Sequence, residues 1–202
     1  VVFTSDQGFA WGQHGFKSKV APYRSTVEAP LIIRPTGPAS ADCAGRVIHQ
    51  PVSGVDLPPT FFATAGIPIP WKMHGFDLSP LFQSKATPWN HKAMLVHTGK
   101  RYGSATNQIP SADDPDLYHG PGIPWYVMLC EGRYKYVRNL IAGETEELYD
   151  MDADREELNN LAVDPAYDAI RKKMRAEATK ELRRTNAGFV NDMPPVRILR
   201  PG

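Results

Sequence analysis

Cysteine is scarce in this chain. Of 202 residues only Cys43 and Cys130 carry a thiol. No Cys-x-x-Cys pair and no Cys/His zinc spacing occurs, which excludes a disulfide framework and a structural zinc site. One disulfide and two free thiols both remain open. Long apolar runs are also missing: no stretch of about 18 consecutive apolar residues exists, so no segment reads as a membrane-spanning helix. Charge of one sign is not in excess. The 23 Lys+Arg against 22 Asp+Glu leave a net +1, which excludes a strongly basic nucleic-acid binder and a polybasic membrane-surface protein. Internal repeats and low-complexity segments are absent as well. Proline, by contrast, is abundant. The 19 prolines are about twice the usual share of roughly 5% and lie scattered, which predicts long structured loops.

The apolar patterning divides the chain. Val1-Val2-Phe3-Thr4-Ser5-Asp6 is a β-branched and aromatic run ending in Ser-Asp, and it reads as a buried strand of a parallel sheet. Such a strand needs neighbours on both sides. Few candidates occur before residue 90, so the expectation is that these residues continue a longer chain upstream. A long Gly-rich loop leads from Asp6 to the second apolar strand, Pro30–Arg34, and a weak strand is expected at Arg46–His49. Asp56 to Gly66 reads as a short helix with Asp56 as its cap, prolines in its first turn, Gly66 at its end and Phe61, Phe62 and Ala65 on its apolar face. A further helical turn is expected over Leu78–Phe82.

From residue 90 the pattern changes to hairpins. Ala93–His97 is a candidate strand. Trp125–Cys130 and Arg133–Arg138 flank a two-residue turn placed at Glu131-Gly132. Tyr134 and Tyr136 read as sheet-packing residues, and Glu147–Asp150 adds another strand. Asp164-Pro165 opens the strongest helix, with Tyr167, Ile170, Met174 and Ala178 as one apolar stripe and Arg171-Lys172-Lys173 as a solvated face. The Pro-rich tail from Asn186 is expected to lie extended over the surface. The fold class is therefore α/β. A sheet-edge portion spans residues 1–90, a small antiparallel sheet with a packed helix spans 91–185, and an extended tail covers 186–202.

The residues that can carry chemistry cluster early. Asp6 and Gln7 sit where a strand ends, where open α/β sheets bind ligands, and they offer two hard oxygen donors suited to calcium or magnesium. The same pair with Gly8 also makes an ordinary turn. The loop continues Trp11-Gly12-Gln13-His14-Gly15-Phe16-Lys17-Ser18-Lys19 and then Pro22-Tyr23-Arg24-Ser25-Thr26-Val27-Glu28-Ala29-Pro30. His14, between two glycines, can bind substrate, orient a ligand or satisfy the loop backbone. The acidic run Asp113-Asp114-Pro115-Asp116 reads as a solvated loop.

The order Phe3-Thr4-Ser5-Asp6-Gln7-Gly8, then Gly12-Gln13-His14-Gly15, then Lys19, Tyr23 and Pro30-Leu31-Ile32-Ile33 resembles the C-terminal catalytic segment of the sulfatase family, within the alkaline-phosphatase-like superfamily. Val55-Asp56-Leu57, Pro59-Thr60, Ala65-Gly66-Ile67, Gly75, Asp77-Leu78-Ser79-Pro80-Leu81, Arg133-Tyr134-Lys135-Tyr136, Glu146–Asp150, Asp154, Glu156-Glu157 and Asn160-Leu161 extend it to about residue 185. The resemblance implies an edge of an alkaline-phosphatase-like sheet. It implies Asp6 and Gln7 as ligands of a divalent cation, usually calcium, with Gln7 standing where the family more often has Asn or His. It implies Lys19 as the contact to the sulfate and its bridging oxygen, with Lys17 as the nearer competitor, and it gives His14 a place in the catalytic loop. Arg24 and Glu28 reverse the signs the family often shows there, which favours a structural i,i+4 ion pair.

The formylglycine nucleophile of sulfatases arises from Cys or Ser in a Cys/Ser-x-Pro/Ala-x-Arg pattern. Neither Cys43-Ala44-Gly45-Arg46-Val47 nor Cys130-Glu131-Gly132-Arg133-Tyr134 fits it. The implied activity is hydrolysis of a sulfate ester by a longer parent protein, with a sulfated sugar as the candidate substrate, His119 or Trp125 as its candidate contacts, and these residues inactive alone. The resemblance also implies a periplasmic or secreted location, with the signal region not among these residues. No nucleic-acid partner is expected. A phosphodiesterase or phosphonate hydrolase of the same superfamily, or a degenerate non-catalytic fragment, are the alternatives.

Overall fold

The computed structural model describes residues 1–35, 45–83, 88–99, 106–119 and 122–197, and of Gln83 and His119 the backbone only. Cys43 lies outside these residues, while Cys130 carries a free thiol. The chain divides into two compact units, Val1–Gln7 with Ala29–Ala93, and Gly8–Glu28 with the chain from Met94 onward.

In the first unit β1 (Val2–Thr4) pairs with β4 (Leu31–Ile33). The pairing is antiparallel, with Val2 opposite Ile33, Phe3 opposite Ile32 and Thr4 opposite Leu31. The sequence reads β1 as a strand of a parallel sheet; among the described residues its neighbour is β4, and that pairing is antiparallel because the chain returns through a loop with no crossover. Nor is β1 buried on both faces. Leu31 and Ile33, like Val52, Leu57 and Trp89, pack on the buried cluster of Leu78, Leu81 and Phe82, whereas Phe3 and Ile32, paired on the other face, are 61% and 63% exposed. The stretch 46–49 is not a strand, contrary to expectation.

The first helix of this unit covers Leu57–Ala65 and ends at Gly66 with φ 67, a left-handed cap that glycine adopts without strain. Asp56 does not cap this helix directly. It closes a capping box with Ser53 around a 3-10 turn, and its Oδ1 accepts the Phe76 N–H at 2.8 Å. Phe61 and Ala65 are exposed and Phe62 only half-buried, while Pro59 and Thr60 are buried. The buried face thus differs from the apolar one read in the sequence, because Thr60 is pulled inward by two bonds. Its hydroxyl donates to the Asp56 carbonyl at 2.6 Å and accepts the Leu78 N–H at 2.9 Å. A second short helix, Ser79–Gln83, follows.

The second unit is built on a four-stranded sheet in the order β10 (Glu147–Asp150), β9 (Tyr134–Asn139), β8 (Tyr126–Glu131), β5 (Ala93–His97). The β8–β9 hairpin closes at Glu131 opposite Tyr134. Its two loop residues are therefore Gly132-Arg133, one position beyond the expected turn, because Gly132 supplies the positive φ of 57 that the tight reversal needs. A long helix, Asp168–Arg184, packs on one face. The Asp164 side chain accepts the Ala166 N–H at 2.8 Å, so the expected cap acts on a 3-10 turn that leads into the helix. Met174, Ala178 and Leu182 pack on Val127, Leu129, Tyr136 and Leu148, with Tyr167 and Ile170 at the margin.

Two expectations fail here. Arg171 is not on a solvated face: it bonds the Ala162 carbonyl at 3.0 Å and pairs with Glu146 and Asp168, whereas Lys172 and Lys173 are exposed. The tail is not simply extended over the surface, because Phe189 is buried in the same core. Among the described residues no helix is long and apolar enough to cross a membrane.

Candidate functional site

Asp6 and Gln7 follow β1 in the first unit. The Gln7 N–H donates to Asp6 Oδ1 at 2.9 Å, and the Ser5 hydroxyl donates to the Gln7 carbonyl at 3.1 Å. These bonds make a side-chain-supported turn that leaves Asp6 exposed and Gln7 half-buried. The donor chemistry fits a hard cation, which takes six to eight oxygens. Among the described residues no cluster of three or more His, Cys, Asp or Glu could hold a metal ion, so Asp6 and Gln7 fit as two donors of a larger set.

His14 and Lys19 share one loop of the second unit. The loop begins as a small hairpin of β2 (Ala10–Trp11) and β3 (Lys17–Ser18). Gly12 and Gly15 take φ of 119 and 76, and His14 itself takes φ 54. The His14 ring stacks on Tyr23 with centroids 3.8 Å apart, and its Nε2 lies 2.8 Å from the Glu156 carbonyl. A carbonyl only accepts, so the bond puts a proton on Nε2 and leaves Nδ1 as the nitrogen able to meet a ligand. Lys19 is half-buried between Ser18 at φ 84 and Val20 at φ 88. A β-branched residue at positive φ is strongly disfavoured, and strain of about 1–3 kcal/mol per such residue persists only where the surroundings enforce it.

The surroundings that enforce it were not apparent in the sequence. The Tyr126 hydroxyl donates to the Val20 carbonyl at 2.6 Å. The Arg24 N–H donates to Glu157 Oε2 at 2.5 Å, and Glu157, itself at φ 57, is buried in an ion pair with Lys135. Tyr23 and Tyr149 donate to the Glu147 carboxylate at 3.4 and 2.9 Å. Burial pushes the Glu147 carboxyl up, against the lowering effect of those two bonds. The Tyr23 and Tyr149 phenols are pushed up by burial first and by the Glu147 charge second. A lysine between two tyrosines of a strand was the available signal for Lys135.

The remaining candidates separate. Arg24 lies at the start of a four-residue helix, Arg24–Val27, and donates to Glu28 at 2.8 Å, the expected i,i+4 pair. Trp125 is buried, its indole N–H donating to the Asp116 carbonyl at 2.9 Å, so it is a core residue rather than a sugar contact. The Asp114 side chain accepts the Asp116 N–H at 2.8 Å, a turn role. The His119 side chain lies outside the described residues.

Comparison with known proteins finds the following similarities. A family model described as N-sulphoglucosamine sulphohydrolase, C-terminal, matches residues 12–103. The extracellular sulfatase SULF-1 homolog of Drosophila melanogaster is 35% identical over 106 residues, 50% of this chain and 9% of that protein. The Delta 4,5-hexuronate-2-O-sulfatase of Bacteroides thetaiotaomicron is 31% identical over 180 residues, 87% of this chain and 33% of that protein. Among solved structures, a phosphonate monoester hydrolase of Agrobacterium radiobacter superposes with a TM-score of 0.68 at 25% identity, over 91% of this chain and 34% of that one. The chain thus spans a third or less of the length of each of these proteins.

Proposed function

We propose that this chain, which in sequence and fold corresponds to the C-terminal part of the sulfatase family within the alkaline-phosphatase-like superfamily, serves a protein that hydrolyses sulfate esters of carbohydrates. The observation that carries the reading is the loop at residues 8–28. It presents Lys19 on backbone whose strain is enforced from the sheet beneath it, inside a segment matched by a sulfohydrolase family model. A sugar as the leaving group is supported by the names of the matched family and of the hexuronate sulfatase.

The chemistry follows from charge. As the S–O bond of a sulfate monoester breaks, negative charge moves onto the bridging oxygen. The Lys19 ammonium donates an N–H to that oxygen and offsets the charge. Asp6 and Gln7 hold a divalent cation, calcium by family resemblance. When bound, such an ion polarises sulfate oxygens as a Lewis acid. His14, fixed by Glu156 and Tyr23, keeps Nδ1 as its acceptor for a substrate hydroxyl. The nucleophile, a formylglycine in this reading, comes from sequence beyond these residues. Export from the cytoplasm goes with the reading, as in the extracellular relative.

The test is expression of the complete reading frame, with release of inorganic sulfate measured from a sugar sulfate and an aryl sulfate and turnover measured on a phosphonate monoester. Sulfate release is the expected result. The structural likeness to a phosphonate monoester hydrolase favours a second reading, in which phosphonate turnover exceeds both sulfate rates.

A further inference from the structure

The segment from His14 to Arg24 is bonded at both ends to one turn. The Glu156 carbonyl lies 2.8 Å from His14 Nε2, and the next residue, Glu157, accepts the Arg24 N–H at 2.5 Å. Between these anchors, the Val20 carbonyl receives the Tyr126 hydroxyl at 2.6 Å. Val20 is the residue directly after Lys19 and takes φ 88. Tyr126 and Glu157 are 1% and 2% exposed, and Glu157 is held by the equally buried Lys135. The buried Tyr126 hydroxyl is aimed at one strained carbonyl of the loop, and the buried Glu157 carboxylate serves both the loop N–H of Arg24 and the Lys135 ammonium of the sheet.

We propose that Tyr126 and Glu157 are positioning residues for Lys19. They fix the backbone on its C-terminal side, so that the ammonium is presented in one direction instead of sampling several. The inference rests on the functional reading above for Lys19's task, but not for its geometry. Preorganisation of this kind matters because a displacement of about 1 Å in a reacting group can cost on the order of a hundredfold in rate.

The experiment uses the full-length protein with Tyr126→Phe, which removes one hydroxyl, and Glu157→Gln, which keeps an acceptor for Arg24 but removes the charge facing Lys135. Tyr136→Phe is the control. It removes another buried phenol bond, to Glu146 at 2.5 Å, away from the loop. Tyr126→Phe should lower kcat on a sulfate ester about tenfold, with KM held within about twofold, whereas Glu157→Gln, which keeps the acceptor for Arg24, should lose several times less. Tyr136→Phe should lower thermal stability without that loss of kcat.

Reductive 13C-methylation gives the readout that does not need turnover. The Lys19 resonance, assigned by its disappearance in Lys19→Arg, should move toward the position of exposed lysines in Tyr126→Phe and stay in place in Tyr136→Phe. An unmoved Lys19 resonance in Tyr126→Phe overturns the proposal whatever the rates. A wild-type protein without sulfate release overturns the functional reading instead, and the resonance still decides the positioning.

Discussion

At the residue scale the most consequential groups are buried charges. Lys135 and Glu157 are each nearly inaccessible and face one another. Two such charges repay their desolvation only as a pair. Removing one leaves the other uncompensated, at a cost of about 3–5 kcal/mol. Lys135→Met and Glu157→Leu should therefore each lower the urea midpoint strongly. The double variant should be less destabilised than the two single losses added together, and strict additivity in that cycle would remove the pair from the account. Glu146 makes a pH-dependent counterpart. Burial alone would raise its carboxyl. Hydrogen bonds from Arg175 and Tyr136 and the charges of Arg175 and Arg171 outweigh burial and hold it below the usual range. An unfolded glutamate titrates near about 4.3. Between that value and the lower folded one the unfolded chain binds the extra proton. The stability contributed by Glu146 is therefore complete above that window and is lost as pH falls through the folded value. Glu146→Gln should flatten the acid limb of the thermal midpoint measured from about pH 6 to pH 3.

At the element scale, legibility followed the range of the interaction. The β8–β9 hairpin, the Asp164 turn and the stripe from Tyr167 to Ala178 are local patterns, and they appear where the sequence put them, the hairpin shifted by one residue to suit Gly132. Asp164→Ala should accordingly cost about 1 kcal/mol in urea unfolding, the ordinary value of an N-terminal cap. The Arg24–Glu28 pair was equally legible from its spacing. Exchanging the two residues should change stability by less than about 1 kcal/mol, since exposed i,i+4 pairs contribute a few tenths. A larger loss would mean that the order of the two charges matters. What was not legible is non-local. The direction of β1 against β4 depends on how the intervening loop returns, and no periodicity encodes that. Arg171 was assigned to solvent because Arg-Lys-Lys reads as a charged face, yet its guanidinium is drawn inward by the Ala162 carbonyl and Glu146. Asp6, Gln7, His14 and Lys19 were found by motif order. Tyr126, Glu147 and Glu157, which hold the loop around Lys19 and His14, lie more than a hundred residues away in sequence, and although Glu147 and Glu157 fall in segments of the resemblance, nothing there ties them to the loop.

At the scale of the whole molecule, the proposed division of labour makes the two charged site residues separable. Within the complete protein, Asp6→Ala should remove part of the cation site and depress turnover of every sulfate ester alike. Chelation followed by calcium should restore the wild type but not this variant. Lys19→Ala should act differently, because its ammonium serves the bridging oxygen. A sugar alcohol is a poor leaving group and gathers a large negative charge as the S–O bond breaks, whereas an aryl oxide delocalises that charge into its ring. Loss of Lys19 should thus cost about a hundredfold or more in kcat/KM on a sugar sulfate, the scale of deleting one oxyanion donor, and several times less on an aryl sulfate. Steady-state rates of both variants on both esters decide this. Equal losses for Lys19→Ala on the two esters would assign the ammonium to the non-bridging sulfate oxygens, and wild-type rates in both variants would remove the site assignment altogether.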